Sequence, residues 1–497
     1  MGNRRTKTYL GLLGQNDTSA PDTLTDFEAR LLQNVELSSK GALVMREGTE
    51  LYKAVLAGKQ IDRIIEYRKQ NGTVHILYAV DGKLINHAGT QIATGLVTSK
   101  IHSCVYQDIL YIVDGTNYYK YDGTTFGAVV ANTGEGCDLT PIKRCRYIFP
   151  RGDRIFFAGD SQNPNFLYYS ELLKPDYVKA LNVVKTLTDD DDIITGIVAY
   201  KGAMLVFKKK RIFAWFGHNI LEEVSFREVD SQAGSVSQQT ILKVEDKLLF
   251  MGLDGIYMLY GLYPEMISSS KVSRAVQKTF DKFTDHANAF ACFYKDKAMF
   301  WGSTATGKQA LVMHTNIGTK ESDQASPYSV YTGIDATCAK VLFDGTLLIG
   351  TVTGDVIKSN PTVYSDRGSR IAVRILTKYY DMDTPFIVKK VKRVYLAVQQ
   401  NKELHTDMDV MLYVGADYKA FKSYLDVSLV YGEGNWSGGA WGWSDIAHGS
   451  ISANMKGTRA YLDIQNFEAG LPWVYYGCMF EYKEKKPERF KSSSVTL

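Results

Sequence analysis

The chain has 497 residues, 45% hydrophobic and 23% charged, which is ordinary globular composition and excludes disorder, collagen and coiled coil as descriptions of the whole. With 58 Lys+Arg against 54 Asp+Glu the net charge is +4, so no strong field favours nucleic acid or membrane as a partner. The 32 Tyr, 22 Phe and 42 Gly beside only 11 Pro point to twisted strands joined by tight turns.

In chain order, Arg4, Arg5 and Lys7 precede an apolar run, Tyr9–Leu13, that is too short for a secretory signal. Met1-Gly2-Asn3-Arg4-Arg5-Thr6 fits the myristoylation pattern only formally. Thr25-Asp-Phe-Glu28 reads as a capping box opening an amphipathic helical turn through Phe27, Leu31 and Leu32, inside an N-terminal arm of residues 1–60.

From His75 the sequence repeats. His75-Ile-Leu-Tyr-Ala-Val-Asp-Gly82 and Asp108-Ile-Leu-Tyr-Ile-Val-Asp-Gly115 each place an apolar strand before an Asp-Gly turn and a second strand, the pattern of a β-hairpin. Looser copies begin at Asp153, Gly202, Asp246, Asp296 and Asp344, and another apolar strand precedes most of them, as in Ile101–Tyr106, Ile194–Tyr200 and Ala289–Tyr294. Successive anchors lie 33, 45, 49, 44, 50 and 48 residues apart. Three or four short strands at a period of about 45 residues is the size of a β-propeller blade. The fold class is therefore all-β: a six- or seven-bladed propeller over residues 61–360, with few short helices. The short first interval suggests that one early hairpin belongs to a split blade that closes the ring. Two tandem sandwiches are the competing arrangement, and they do not account for a steady period. Lys271 to Asp285 places Val272, Ala275, Val276, Phe280 and Phe283 on one helical face. After Pro361 the period ends, and six strands over residues 361–497 suggest a β-sandwich-like domain with a basic, solvated tail from Glu481. Leu248–Tyr263, the most apolar stretch, is broken by Asp254 and glycines, so no membrane insertion is expected.

The chemistry-bearing residues form few patterns. Cys104, Cys137, Cys145, Cys292, Cys338 and Cys478 are scattered without C-x-x-C spacing, which suits free thiols in a reducing compartment. The eight histidines form no metal-ligand pairs, and no H-E-x-x-H, G-x-S-x-G, Walker A or G-x-G-x-x-G motif occurs. No catalytic residue, metal ligand or cofactor is expected. Asp189–Asp192 is an acidic run whose spacing fails the EF-hand pattern, leaving a solvated turn as the main reading and a cation site as the alternative. Lys208-Lys-Lys-Arg211 reads as a hairpin turn, and Lys389-Lys-Val-Lys-Arg393 as a strand with a basic outer face. Trp436, Trp441 and Trp443 on the glycine-rich stretch from Gly432 are candidates for an interface or a sugar contact.

Several of these phrases resemble the tail hub, nozzle and packaged-DNA-stabilisation proteins of tailed bacteriophages. They are Asn34-x-x-Leu-x-x-x-Gly41-Ala-Leu-x-x-Arg46-x-Gly48, Arg154-Ile-Phe-Phe-Ala-Gly-Asp160 with Tyr168-Tyr-Ser170, Gly196–Phe207, and Gln232-Ala-Gly-Ser-Val-Ser237 with Phe250 and Asp254-Gly-Ile-Tyr257. The likeness covers residues 30–360 and is one of pattern. It implies a non-enzymatic virion protein assembled in the host cytoplasm, forming a ring, commonly a hexamer, below the portal and adaptor. Such a ring encloses packaged DNA in the exit channel and docks fibres or spikes. A host-surface or glycan-binding propeller and a polysaccharide hydrolase are the alternatives.

Overall fold

The computed structural model describes residues 4–38, 41–97, 101–185, 192–216, 226–231, 233–261, 267–317, 327–400, 407–424, 446–466 and 473–485. Two compact units emerge: residues 49–311 with 333–360, and residues 1–48 with 312–332 and 361–497.

The first unit is a seven-bladed propeller. Five blades are complete four-stranded antiparallel meanders running outward from the axis: 61–94, 102–128, 147–185, 194–228 and 242–271. The sixth blade supplies Phe290–Tyr294, Lys297–Thr304 and the start of Gly307–His314 before the chain leaves the unit. The seventh holds Ala336–Val341, Leu347–Thr351 and Asp355–Asn360, and its outer position is filled by the strand Gly48–Ala54. Closure thus comes from a strand that precedes the whole repeat. The early hairpin expected in a split blade lies in an intact one, as does its neighbour. The predicted hairpins are present: Leu110 pairs with Tyr121 and Val113 with Tyr118, Leu77 with Asn86 and Val80 with Lys83.

The turns explain why the anchors are Asp and Gly. Gln107 and Asp108 have φ of 49° and 61°, and Lys201 and Gly202 have 45° and 80°. Two successive positive φ values make the type I′ hairpin, whose twist matches the strands it joins. Apolar layers lie between neighbouring blades. Tyr118 packs edge-on against Phe157, their ring centroids 5.2 Å apart, and Phe207 meets Phe250 at 5.3 Å. A tyrosine at the end of an inner strand ties each of two blades to the next: Tyr67 Oη donates to Asp108 O at 2.6 Å and Tyr200 Oη to Asp246 O at 3.0 Å. The anchor aspartates therefore contribute backbone carbonyls as well as turns. Between the seventh and first blades, Thr337 Oγ1 donates to Ile61 O and completes the ring.

The second unit is a β-sandwich. One sheet carries Val35–Leu37, Leu43–Met45, Trp473–Glu484, Lys389–Gln400 and Ile446–Gly457, with Arg5–Leu10 paired to Trp473–Glu484. The other carries Tyr328–Thr332, Glu28–Gln33, Val373–Thr377, Ala460–Asn466, Asp407–Val414 and Asp417–Tyr424. Their inward residues, among them Leu32, Leu43, Leu396, Leu412, Leu462 and Phe480, form one core.

Three expectations change here. Thr25–Glu28 keeps the capping hydrogen bond, with Thr25 N donating to Glu28 Oε2 at 2.9 Å, yet Glu28–Gln33 is a strand and not a helical turn. Leu32 and Ala29 are buried in the sandwich, and that tertiary burial overrides the local signal. The 271–285 helix shrinks to a 3₁₀ turn, Arg274–Val276, and one α-turn, Gln277–Phe280, because Ser268–Lys271 completes the fifth blade. Its apolar side chains Val276, Phe280 and Phe283 are nonetheless buried. Glu481–Glu484 continues the last strand, with Tyr482 in the core, so the tail begins later than composition suggested.

Candidate functional site

Several residues of the phrases that carried the family resemblance hold the fold. In the third blade, Arg154 Nη1 donates to Ser170 O at 2.6 Å and Ser170 Oγ accepts from Ile155 N at 3.0 Å. Asp160, buried in the same blade, accepts from five donors: Arg144 Nε and Nη2 at 2.7 and 2.9 Å, Gln162 N, Asn163 Nδ2 and Tyr168 Oη. Burial alone would raise its pKa, but those donors outweigh it and hold the carboxyl down at about 2, below its ordinary 3.8. A depressed carboxylate contributes stability above its unfolded pKa and loses it as pH falls through the folded one. The propeller is accordingly expected to lose stability between about pH 4 and pH 2. Asp160→Asn should cost about 2–3 kcal/mol at neutral pH and flatten that acid limb, read by denaturant titration across pH.

Gly234 and Ser235 join blades four and five. A Cβ at Gly234 would lie 1.9 Å from Lys208 O, while Ser235 N donates to that carbonyl at 2.9 Å and Val236 N to Met251 O at 2.9 Å. In the sandwich, Asn34, Arg46 and Gly48 form a buried polar hub: Arg46 Nε donates to Asn34 Oδ1 at 3.0 Å, and a Cβ at Gly48 would lie 2.4 Å from Ser365 O.

What remains as a site is the axial channel of the propeller. Two adjoining cavities, of about 410 and 540 Å³, share Arg63, His102, Gln238 and Gln239 in their walls. Every blade contributes to the lining: Arg63, His102, Tyr147, Thr195, Ile241, Phe290 and Lys340 come from the first to the seventh in turn. Gln238 cannot turn into the channel freely, because its side-chain amide acts as a strand surrogate: Oε1 accepts from Ile197 N at 2.6 Å and Nε2 donates to Ile197 O at 3.1 Å. Gly196 makes room for it, since a Cβ there would meet Gln238 Oε1 at 2.6 Å.

The channel is cationic on one side. Arg63 is half-buried, and its desolvation lowers its pKa; Lys340 is lowered by burial against partial help from Glu66. Burial and the neighbouring Arg63 charge push His102 down to about 3. Its Nδ1 accepts from Ile148 N at 3.4 Å, so the neutral ring carries its proton on Nε2. Arg63, His102 and Lys340 stand on inner strands of three different blades, a dispersal that scanning for local motifs does not detect.

The other sequence candidates fall elsewhere. Trp436, Trp441 and Trp443 lie outside the described residues, as do Asp189, Asp190 and Asp191. Asp192 is buried and accepts from Lys209 N and Lys210 N, both at 3.0 Å, so it caps the turn of the basic run 208–211. Asp192 and the basic run thus meet as a cap and its hairpin. Lys389, expected on an outer face, is buried with Nζ bonded to Thr384 O and Thr458 O, because a bulge between Val391 and Arg393 shifts the register. Among the described residues no group of three or more His, Cys, Asp or Glu is placed to hold a metal ion, and all six cysteines are free.

No family model and no curated protein matches the sequence. Solved structures of similar architecture include PorZ of Porphyromonas gingivalis, 12% identical with a TM-score of 0.38 over 74% of this chain and 46% of that one. The extracellular domain of BT3049 from B. thetaiotaomicron is 10% identical, with a TM-score of 0.41 over 80% and 57%. The Neurospora crassa Pan2 WD40 domain is 11% identical, with a TM-score of 0.39 over 65% and 97%. The chain spans about half the length of the first two, and none of the three informs the chemistry of the channel.

Proposed function

We propose that this chain is a non-enzymatic structural protein of a bacteriophage tail, acting as a ring of copies below the portal and adaptor in the manner of hub and nozzle proteins. The observation that supports this reading is the placement of the shared phrases. Asn34, Gly41, Arg46 and Gly48 in the sandwich, and Arg154, Asp160, Ser170, Gly196 and Gly234 in the propeller, all sit where the backbone or a buried polar group requires that residue. These positions lie within residues 30–360, the stretch that the likeness covers, and each supports the fold. The partners in this reading are further copies of the chain, the portal or adaptor, fibres or spikes, and DNA in the exit channel.

A closed cyclic ring needs a heterologous contact, so one segment must meet a different surface of the neighbour. Tryptophans on a glycine-rich stretch suit such an anchor. Changing Trp441 and Trp443 to Ala, and separately deleting residues 486–497, should each weaken joining to tail-less particles, the tryptophan pair by about 2 kcal/mol or more. Sixfold rings in negative-stain images of particles carrying the wild-type chain are the expected result. Binding on a glycan array together with failure to join any particle would instead select the surface-propeller alternative.

A further inference from the structure

We propose that the axial channel of the propeller holds a divalent oxyanion of the phosphate class, seated between Arg63, Lys340 and His102. These three side chains project from the inner strands of the first, seventh and second blades into one cavity of about 410 Å³. That volume exceeds the roughly 30 Å³ share of a water molecule many times over, leaving room for a phosphoryl group and its hydration.

The charges around this cavity do not balance within the protein. Among the described residues Arg63 and Lys340 have no ion pair and no hydrogen-bonding carboxylate. Glu66 is the acidic group in the same wall, and it is already engaged by Arg68 at 3.4 Å and by Phe343 N, which donates to it at 3.0 Å. Asp62 and Asp285 face the adjoining cavity, where Arg146, Lys209 and Lys308 offset them. Asp285 is bound by Asn288, and Asp62 by Gln60.

Arg63 and Lys340, on neighbouring inner strands and only partly offset by Glu66, repel each other where burial weakens the screening of charge. A monocarboxylate would neutralise only one of them. A dianion neutralises both, and the guanidinium fork of Arg63 matches two phosphate oxygens. His102 adds a neutral donor: with Nδ1 occupied by Ile148 N, its Nε2–H is the proton available to an anion. Binding a dianion there replaces the repulsion from Arg63 with attraction, so the imidazole should become easier to protonate.

This site is independent of ring assembly, because every residue in it comes from one propeller. The test uses the full chain with inorganic phosphate, sulfate and acetate as probes, followed by calorimetry and by NMR of the His102 ring. Phosphate and sulfate should bind and raise the melting temperature, acetate should not, and phosphate should move the His102 titration upward. Arg63→Met and Lys340→Met should each weaken phosphate binding at least about tenfold. Without phosphate, Arg63→Met should leave the protein as stable as the wild type or more so, since it removes a partly buried charge that has no ion-pair partner. A merely structural Arg63 predicts the opposite sign. Absence of any heat or thermal shift with phosphate and sulfate, or unchanged binding by both variants, would overturn the proposal. Equal binding of acetate would reduce the site to a general anion hole and overturn its assignment to a dianion.

Discussion

Gly354→Ala should unlatch the closing strand of the propeller. Gly354 has φ of +89°, and a Cβ there would lie 1.8 Å from Leu56 O and 2.9 Å from Lys59 O. The turn it abuts carries Gly48–Ala54 into the seventh blade, and it is held by Val55 N donating to Gly354 O at 3.0 Å and Gly58 N donating to Thr353 O at 2.8 Å. An alanine must adopt a left-handed conformation costing about 1–2 kcal/mol. It must also push away backbone whose two hydrogen bonds contribute about 1 kcal/mol each. The sum is about 3–4 kcal/mol. It falls where the ring is closed by a strand distant in sequence from the other strands of its blade. Limited proteolysis should then nick residues 49–60, and hydrogen exchange should speed up in Asp355–Asn360. Gly345→Ala is the control: its φ is +87° but nothing lies within 4 Å of the added carbon, so only the conformational cost applies. If the two variants are equally destabilised, the contact with Leu56 is not what secures closure. Because the chain has two compact units, the propeller transition must be followed separately from the sandwich.

The repeat was readable because a blade is a local object. Its strands are consecutive, its hairpins announce themselves through Asp-Gly and Gly turns, and a fixed period survives loop variation. The closing strand was not readable, since Gly48–Ala54 pairs with Asp355–Asn360 three hundred residues away and carries no turn signal of its own. The same holds for the sandwich, which takes strands from 5–45, from 328–332 and from the region after 361. Local signals misled where burial decided the outcome. The Thr25 capping hydrogen bond forms, yet Leu32 enters a sheet core, and the apolar face of 271–285 is buried without a long helix. Asp192 was read within a solvated acidic turn because sequence shows charge and hides the two amides that occupy it. The channel was invisible for a related reason. Arg63, His102 and Lys340 are isolated in sequence, and only ring closure brings the first and seventh blades together.

Arg46→Met should be the most damaging single change in the sandwich. Arg46 is 2% exposed, and all five of its N–H groups are used. Nε donates to Asn34 Oδ1, Nη1 to Glu47 O and Asp366 Oδ1, and Nη2 to Thr332 O and Asp366 Oδ2. Asn34 is itself held at φ +56° and passes the network on, accepting from Thr332 N at 2.9 Å and donating to Ala372 O at 2.7 Å. Methionine fills much of the same volume, so the loss is electrostatic: Asp366, Asn34 Oδ1 and two carbonyls lose their shared donor. Removing a buried guanidinium of this kind costs about 3–5 kcal/mol, because several acceptors lose charge-assisted hydrogen bonds together. Arg46→Lys should recover little, since an ammonium offers one point of charge where the fork meets five acceptor directions. Adding Asp366→Leu to Arg46→Met should restore a large part of the loss, as apolar replacement of both members of a buried pair is far milder than removing one. Denaturant titration of the four variants gives the coupling energy directly. A coupling near zero would mean that Asp366 is solvated without Arg46, and the hub would then rest on Asn34 and Thr332 alone.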